Sequence, residues 1–352
     1  MKILFLVNEL LQVCGISKHL YYLVDGLQKY YPNNEYYIIT GGGNAIQKFQ
    51  SLGVPVLVNE NLKHQTRSIT GYLKGIKELY GFVKKNEINI IHSHHHYSSS
   101  IASKVSKITL AQTVFTNHGI LPKKGLLNHY NGDYIIAVND KIKTEVSHLS
   151  NKQIHLIRTG IPGTSSINRH INKRLKIISG GRIEAEKGFD IFIRAVKQMP
   201  LQARKKADFY IAGSGSLEEK IKQLDNDLNT NISFLGAVAD FQQLLTTTDI
   251  FVMPTVADYE GLPTVLIEAA LSENLIISSD FFGYSDVLSF KDALIFQKGN
   301  VTELTEKLVD AIKNFEEYNY FIKNMKIKAE NMFSQHKMVN HTYNLYQKVL
   351  KK

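Results

Sequence analysis

Cysteine is almost absent from this chain of 352 residues. Cys14 stands alone, so no internal disulfide can form, and thirteen histidines without cysteine partners give no zinc-ribbon spacing. A reducing compartment is the default that follows. Long apolar runs are missing too, since nothing approaches the roughly eighteen uninterrupted apolar residues of a membrane span. The opening Ile3-Leu4-Phe5-Leu6-Val7 is broken by Asn8 and Glu9, too short for the apolar core of a signal peptide. These gaps favour a cytoplasmic chain, one that can still touch the inner face of a membrane. No low-complexity tract and no short internal repeat is present. Apolar residues make up 43% and charged residues 21%, which is ordinary globular usage and excludes disorder or a collagen-like chain. A single core rarely grows past about 250 residues, so two domains are expected.

Acidic residues are scarce in one half only. The chain carries 42 Lys/Arg against 32 Asp/Glu, a net +10. Residues 1–170 hold 19 basic against 9 acidic residues and residues 171–352 hold 23 against 23, so the whole excess belongs to the first half. A net positive charge suits nucleic acid, an anionic membrane or an acidic ligand. Nucleic acid is disfavoured because no aromatic-basic RNA motif or helix-turn-helix pattern accompanies the charge.

Short apolar runs at Ile3–Val7, Tyr36–Thr40, Val54–Val58, Ile88–His92, Thr113–Thr116 and Tyr134–Val138 read as buried strands. Between the first two, Leu20, Leu23, Val24 and Leu27 fall on one helix face. Residues 158–174 combine two glycines, a proline and a polar run, the composition of a linker. The alternation then restarts with strands at Leu175–Ser179, Phe209–Ala212, Ile232–Leu235, Asp249–Met253, Leu275–Ser278 and Ala293–Phe296. Ser216 with Glu219 three residues on reads as a capping box. Repeated strand–helix alternation predicts two α/β domains with parallel sheets, 1–168 and 169–334. The segment 335–352 is amphipathic. Ligands of open parallel sheets bind beyond the carboxyl ends of the strands, which predicts a cleft between the domains.

Two stretches at such strand ends carry chemistry. In Tyr259-Glu260-Gly261-Leu262-Pro263-Thr264-Val265-Leu266-Ile267-Glu268, Pro263 suits a first helical turn, and the backbone N–H groups there can meet an anion or sugar hydroxyls. Glu260 and Glu268 offer carboxylates to hydroxyl groups, although a capped helix with two solvated glutamates fits the local pattern equally well. In Gly180-Gly181-Arg182-Ile183-Glu184-Ala185-Glu186-Lys187-Gly188, Arg182 supplies a rigid fork of donors and Lys187 a mobile charge, as a diphosphate needs. Pairing of those cations with Glu184 and Glu186 in a surface loop is the competing reading. The run His92-Ser93-His94-His95-His96 invites a metal site, but no Cys, Asp or Glu nearby completes a ligand set, and no metal is expected.

Together the two stretches resemble the donor site of the family 4 glycosyltransferases, retaining enzymes of the GT-B fold. The likeness extends to Ala212-Gly213-Ser214-Gly215, Phe234-Leu235-Gly236 and the Asp249–Pro254 strand. It implies that Glu260 contacts the donor sugar, Glu268 the nucleotide ribose, and Arg182 and Lys187 the diphosphate. It implies too that 335–352 crosses back onto the first domain. Gly181, Gly261, Leu262, Pro263 and Thr264 complete the donor side. Val13-Cys14-Gly15-Ile16 matches the family's glycine turn after the first strand, with Gly15 as the matching glycine, and His118 in Thr116-Asn117-His118-Gly119 matches the histidine near the anomeric carbon. His94 would line the acceptor side, with Lys123 and Lys124 in the loop beyond His118; His19 either faces the cleft or packs beside it. Cys14 in place of a second glycine and Ser272-Glu273-Asn274 in place of a glycine turn depart from the family pattern.

The implied activity is metal-independent transfer of a hexosyl or N-acetylhexosaminyl group to an acceptor hydroxyl, with retention, in the synthesis of lipopolysaccharide, capsule or another cell-surface glycan. The donor would be a UDP or GDP type nucleotide sugar, used as substrate, and no cofactor is implied. A nucleotide-sugar epimerase of the same fold and a non-catalytic transferase-like subunit are the alternatives. Residues 62–85 interleave Lys63, Arg67, Lys74, Lys77, Lys84 and Lys85 with Leu62, Ile69, Tyr72, Leu73, Ile76, Leu79, Tyr80, Phe82 and Val83. That mixture suits an anionic membrane surface and a lipid-linked or glycan acceptor.

Overall fold

The first strand is buried on both faces, with Ile3, Leu4, Phe5, Leu6 and Val7 all at 0% exposure, which is why it reads as an unbroken apolar run. In the computed structural model this strand sits inside the first of two compact units, Met1–Pro162 with Gln335–Lys352; the second unit is Gly163–Ser334. The structure describes residues 1–63, 67–119, 132–149, 152–164, 174–257, 262–281, 284–289 and 291–351.

The sheet of the first unit has seven parallel strands: β1 (Lys2–Val7), β2 (Glu35–Thr40), β3 (Val56–Val58), β4 (Ile90–Ser93), β5 (Gln112–Asn117), β6 (Tyr134–Ala137) and β7 (Gln153–Leu156). Their order is β3-β2-β1-β4-β5-β6-β7, so the winding direction reverses between β1 and β4, where this class of sheet binds ligands. The helix Gly15–Tyr30 buries Leu20, Leu23, Val24 and Leu27, as their spacing predicts. A helix at Gln335–Leu350 adds Met338, Val339, Leu345, Tyr346 and Val349 to the same core.

The helix Ile69–Asn86 is capped by Ser68, whose hydroxyl accepts from the Gly71 amide at 3.0 Å. It removes most of the apolar residues that the sequence interleaves with lysines. Leu62, Leu79 and Val83 are core, and Tyr72, Ile76 and Phe82 are half-buried against it; Ile69, Leu73 and Tyr80 remain exposed. Among the described residues no helix is long and apolar enough to cross a membrane.

The second unit holds six parallel strands: β8 (Leu175–Gly180), β9 (Ala207–Ala212), β10 (Ser233–Phe234), β11 (Ile250–Met253), β12 (Leu275–Ser279) and β13 (Leu294–Phe296). The order β10-β9-β8-β11-β12-β13 reverses between β8 and β11. The helix Phe189–Gln198 buries Phe189, Phe192, Ile193 and Val196 against this sheet. The capping box at Ser216 does not form. The helix there is Glu218–Leu228, its N-terminus has no side-chain cap, and Ser216 is drawn instead to Glu184.

Divided by these units, the charge separates further. The first carries 22 Lys/Arg against 9 Asp/Glu and the second 20 against 23, net +13 and −3, because the four lysines of 335–352 belong with the first unit.

Candidate functional site

In the second unit three loops leave neighbouring strands at the reversal point and pack on one another. The Gly181 amide donates to the Ala212 carbonyl at 3.0 Å, the Ile183 amide to Ser214 O at 2.9 Å and the Leu217 amide to Ile183 O at 3.1 Å, which lays the Gly213-Ser214-Gly215 loop along the Arg182 loop. Only glycine fits here, since a Cβ on Gly213 would stand 1.8 Å from the Gly181 oxygen, at φ +142. On the other side the Glu186 carbonyl accepts from the Val256 amide at 2.9 Å and from the Thr255 hydroxyl at 2.7 Å. Gly188 closes that contact, because a Cβ there would meet the Pro254 oxygen at 2.1 Å. The Arg182–Lys187 loop is thereby tied to the segment that leads from β11 into the glutamate motif.

The surface-loop reading of the cations holds only in part. Glu184 is bonded chiefly to Ser216: its carboxylate accepts from the Ser216 amide at 3.1 Å and hydroxyl at 2.5 Å, and those two bonds, with Arg182 adding to them, hold it below the usual carboxylate range. Glu186 lies 3.7 Å from Arg182, a loose contact, and the Arg182 side chain keeps about half its surface, 53%. Lys187 is half-buried. Beyond Pro254 the helix Thr264–Leu271 starts with Pro263 in its cap, so Pro263 precedes the first turn rather than occupying it. Pro263 and Thr264 are buried, Leu262 half-buried. Glu268 is fully buried, which removes it from the solvated-glutamate reading. Glu260 and Gly261 lie outside the described residues, as do Lys123 and Lys124 of the acceptor side.

In the first unit the reversal between β1 and β4 gathers histidines that are far apart in the chain. Gly15 is exposed and opens its helix, behind an extended Cys14. His19 lies one turn further, its Nδ1 3.0 Å from the Thr159 hydroxyl. His94 follows β4 and its Nδ1 stands 3.2 Å from His118 Nε2, just past β5. The His19 ring meets the His118 ring edge-on at 4.6 Å, and His92 stacks on His94 at 4.5 Å. His92 is itself held by the Tyr346 hydroxyl at 2.5 Å and the Thr116 hydroxyl at 2.7 Å. Burial holds these imidazoles neutral. It lowers His19 and His92 to about 3, and it drives His94 and His118 well below the ordinary value, with neighbouring histidines adding to the effect.

The sequence singles out His94 and His118 and leaves His19 either facing the cleft or packing beside it; the structure brings His19 to both, with His92 anchoring the group. One ring nitrogen each from His19, His94 and His118 lies within 4.8 Å of the others, a potential ligand set drawn from three elements rather than from the 92–96 run. The spacing of His19 in its helix, one turn after the glycine turn, is the signal that points to it.

Two family models divide the chain at the same place as its compact units: Glycosyltransferase Family 4 over residues 13–162 and Glycosyl transferases group 1 over residues 164–328. The protein belongs to these GT-B glycosyltransferases. It is similar to a GDP-mannose-dependent monoacylated alpha-(1-6)-phosphatidylinositol monomannoside mannosyltransferase of Corynebacterium glutamicum, 30% identical over 144 residues, which are 39% of this chain and 37% of that protein. It is also similar to a Campylobacter jejuni alpha-1,4-N-acetyl-D-galactosaminyltransferase whose name gives its acceptor as a diNAcBac-PP-undecaprenol-linked disaccharide, 27% identical over 145 residues, 41% of this chain and 40% of that one. The matched stretches therefore span well under two thirds of both relatives. Among solved structures, Anabaena HepE in complex with UDP superposes with a TM-score of 0.80 at 18% identity, covering 99% of this chain and all of that one, a likeness of fold.

Proposed function

We propose that this protein is a retaining glycosyltransferase that moves a hexosyl or N-acetylhexosaminyl group from a UDP or GDP sugar to a hydroxyl of a lipid-linked or glycan acceptor, in lipopolysaccharide, capsule or other cell-surface glycan synthesis. The observation that carries the reading is the joining of the 181–188, 213–216 and 254–257 loops at the reversal point of the second sheet, with Arg182 and Lys187 on one of them. Gly181 and the Leu262–Thr264 turn supply backbone to the same donor, Glu268 receives the ribose, and Glu260 with Gly261 meets the sugar. As the bond from the anomeric carbon to the diphosphate oxygen breaks, negative charge grows on the phosphate, and preorganised cations stabilise it more than they stabilise the intact donor. The acceptor oxygen attacks from the side the phosphate leaves, its proton passing to a phosphate oxygen. No metal and no cofactor enters this step.

The first unit takes the acceptor. Gly15 approaches the diphosphate and neutral His118 offers a hydrogen bond near the anomeric carbon, while His94, Lys123 and Lys124 line the acceptor side. Its net +13, with Ile69, Leu73, Lys74 and Lys77 exposed on one helix, suits the anionic inner surface of the cytoplasmic membrane. The membrane-lipid acceptors in the two relatives' names support the same choice.

Thermal-shift screening against UDP and GDP sugars identifies the donor, because a ligand raises stability by mass action. Product analysis then decides the activity: an acceptor-dependent glycoside supports transfer, and conversion of the donor sugar without acceptor supports an epimerase instead.

A further inference from the structure

We propose that His19, His94 and His118 form a three-imidazole site for a divalent ion of the zinc class, and that occupancy of this site inhibits the enzyme. The site is assembled by the fold: one ligand lies one turn into a helix, one just after β4 and one just after β5. The 3.2 Å between His94 Nδ1 and His118 Nε2 is close to the roughly 3.3 Å that separates two nitrogens bound to a tetrahedral ion at about 2.0 Å. One nitrogen from each of the three rings lies within 4.8 Å of the others.

Two further observations bear on which ring nitrogens are free to bind. His94 Nε2 is buried with no hydrogen-bond partner among the described residues, and with the proton on that nitrogen Nδ1 keeps its lone pair for the ion. His19 Nδ1 engages the Thr159 hydroxyl, an arrangement that leaves Nε2 with its lone pair when Nδ1 carries the proton, as outer partners do for metal-bound imidazoles. His92 bonds Tyr346 and Thr116 through its two nitrogens and stands behind His94 as a wall rather than a ligand.

All-imidazole donors select zinc, cobalt, nickel or copper and leave magnesium, calcium and manganese unbound. Three protein ligands leave a fourth position for water or an anionic oxygen, reached on the side of His118, which is only partly covered. An ion bound there engages the His118 nitrogen that the transfer reading assigns to the sugar. The inhibitory step rests on that reading; ion binding does not.

The test uses the full chain with Co²⁺ and Zn²⁺. One Co²⁺ per chain, with the visible absorption of a four-coordinate site, displaced by Zn²⁺ and untouched by Mg²⁺, is the expected result. His19→Gln and His94→Gln should each weaken binding more than tenfold, and Thr159→Val roughly tenfold or more through the outer contact. His336→Gln, an exposed histidine outside the set, should leave binding unchanged. Thermal melts without metal confirm that each variant is folded. No binding by the folded wild type, or binding indifferent to both His19→Gln and His94→Gln, overturns the site. In the activity arm Zn²⁺ should inhibit the wild type at the concentration that fills the site; full turnover with the site loaded overturns the inhibitory role while leaving the site itself standing.

Discussion

Arg182 shows how far a single residue could be understood before the fold was known. Its place between a strand and an amphipathic helix made it a phosphate ligand or a partner of nearby glutamates, and in the structure Glu186 lies 3.7 Å from it while Glu184 bonds Ser216. A charge-assisted bond is worth about 1.5–3 kcal/mol, so Arg182→Ala should weaken nucleotide-sugar binding roughly ten- to a hundredfold, measured by calorimetric titration, and should lower turnover by more. An unchanged donor affinity would remove Arg182 from the site. The buried histidines predict a pH effect of fixed sign. Because the folded state keeps His19 and His92 neutral down to about pH 3 while the unfolded chain takes up protons near 6.5, stability is complete above that value and falls as pH drops. At pH 5.5 each costs on the order of 1 kcal/mol. Calorimetric melting between pH 7.5 and 5.5 should therefore show a loss of several degrees, and a flat profile would mean that these rings are not buried neutral. The sequence placed His92 in a buried strand and His19 at or beside the cleft, but the loss of their charge follows only from the packed rings around them.

Elements were legible where one face alternates cleanly with another. Leu20, Leu23, Val24 and Leu27 announce their helix, and the apolar runs announce β1, β2, β4 and β5. The sequence misled where a side chain had two possible partners: Ser216 has the spacing of a cap, but Glu184 arrives from a loop 32 residues away and takes it. The edge strand β7 gave no signal because its four residues are exposed or half-buried and carry no apolar run. The docking of Gln335–Leu350 yields a sharper prediction. Gly26 sits inside the helix Gly15–Tyr30, where alanine would ordinarily stabilise by about 1 kcal/mol. Here an added Cβ would lie 2.5 Å from Val339 Cγ2. Gly26→Ala should therefore lower the melting temperature, and Val339→Ala in the same chain should recover part of the loss by removing the clashing methyl. If the double variant is less stable than the sum of the two singles, the helix contact is misdescribed.

For the whole molecule, the sequence located the charge, and a count by halves understates the contrast. Counting by halves gives a basic and a neutral partner; counting by folded units gives +13 and −3, since 335–352 joins the first unit. Flotation with anionic vesicles should recover the protein at low salt and lose it as salt is raised, while neutral vesicles recover little. Replacing Lys74 and Lys77 with Glu should reduce flotation without a change in melting, because both side chains are exposed. Equal recovery on neutral and anionic vesicles would leave the charge without that role.

The route of the chain also sets an order in time. Residues 163–334 form a self-contained unit that can close as soon as they are made, whereas the core around β1 waits for Met338, Val339, Leu345, Tyr346 and Val349. Residues 1–162 are thus made before the second unit but completed after it, and their apolar surface stays uncovered while 163–334 are made. A chain that stops at Ser334 should accordingly keep a melting second unit and an aggregating first one.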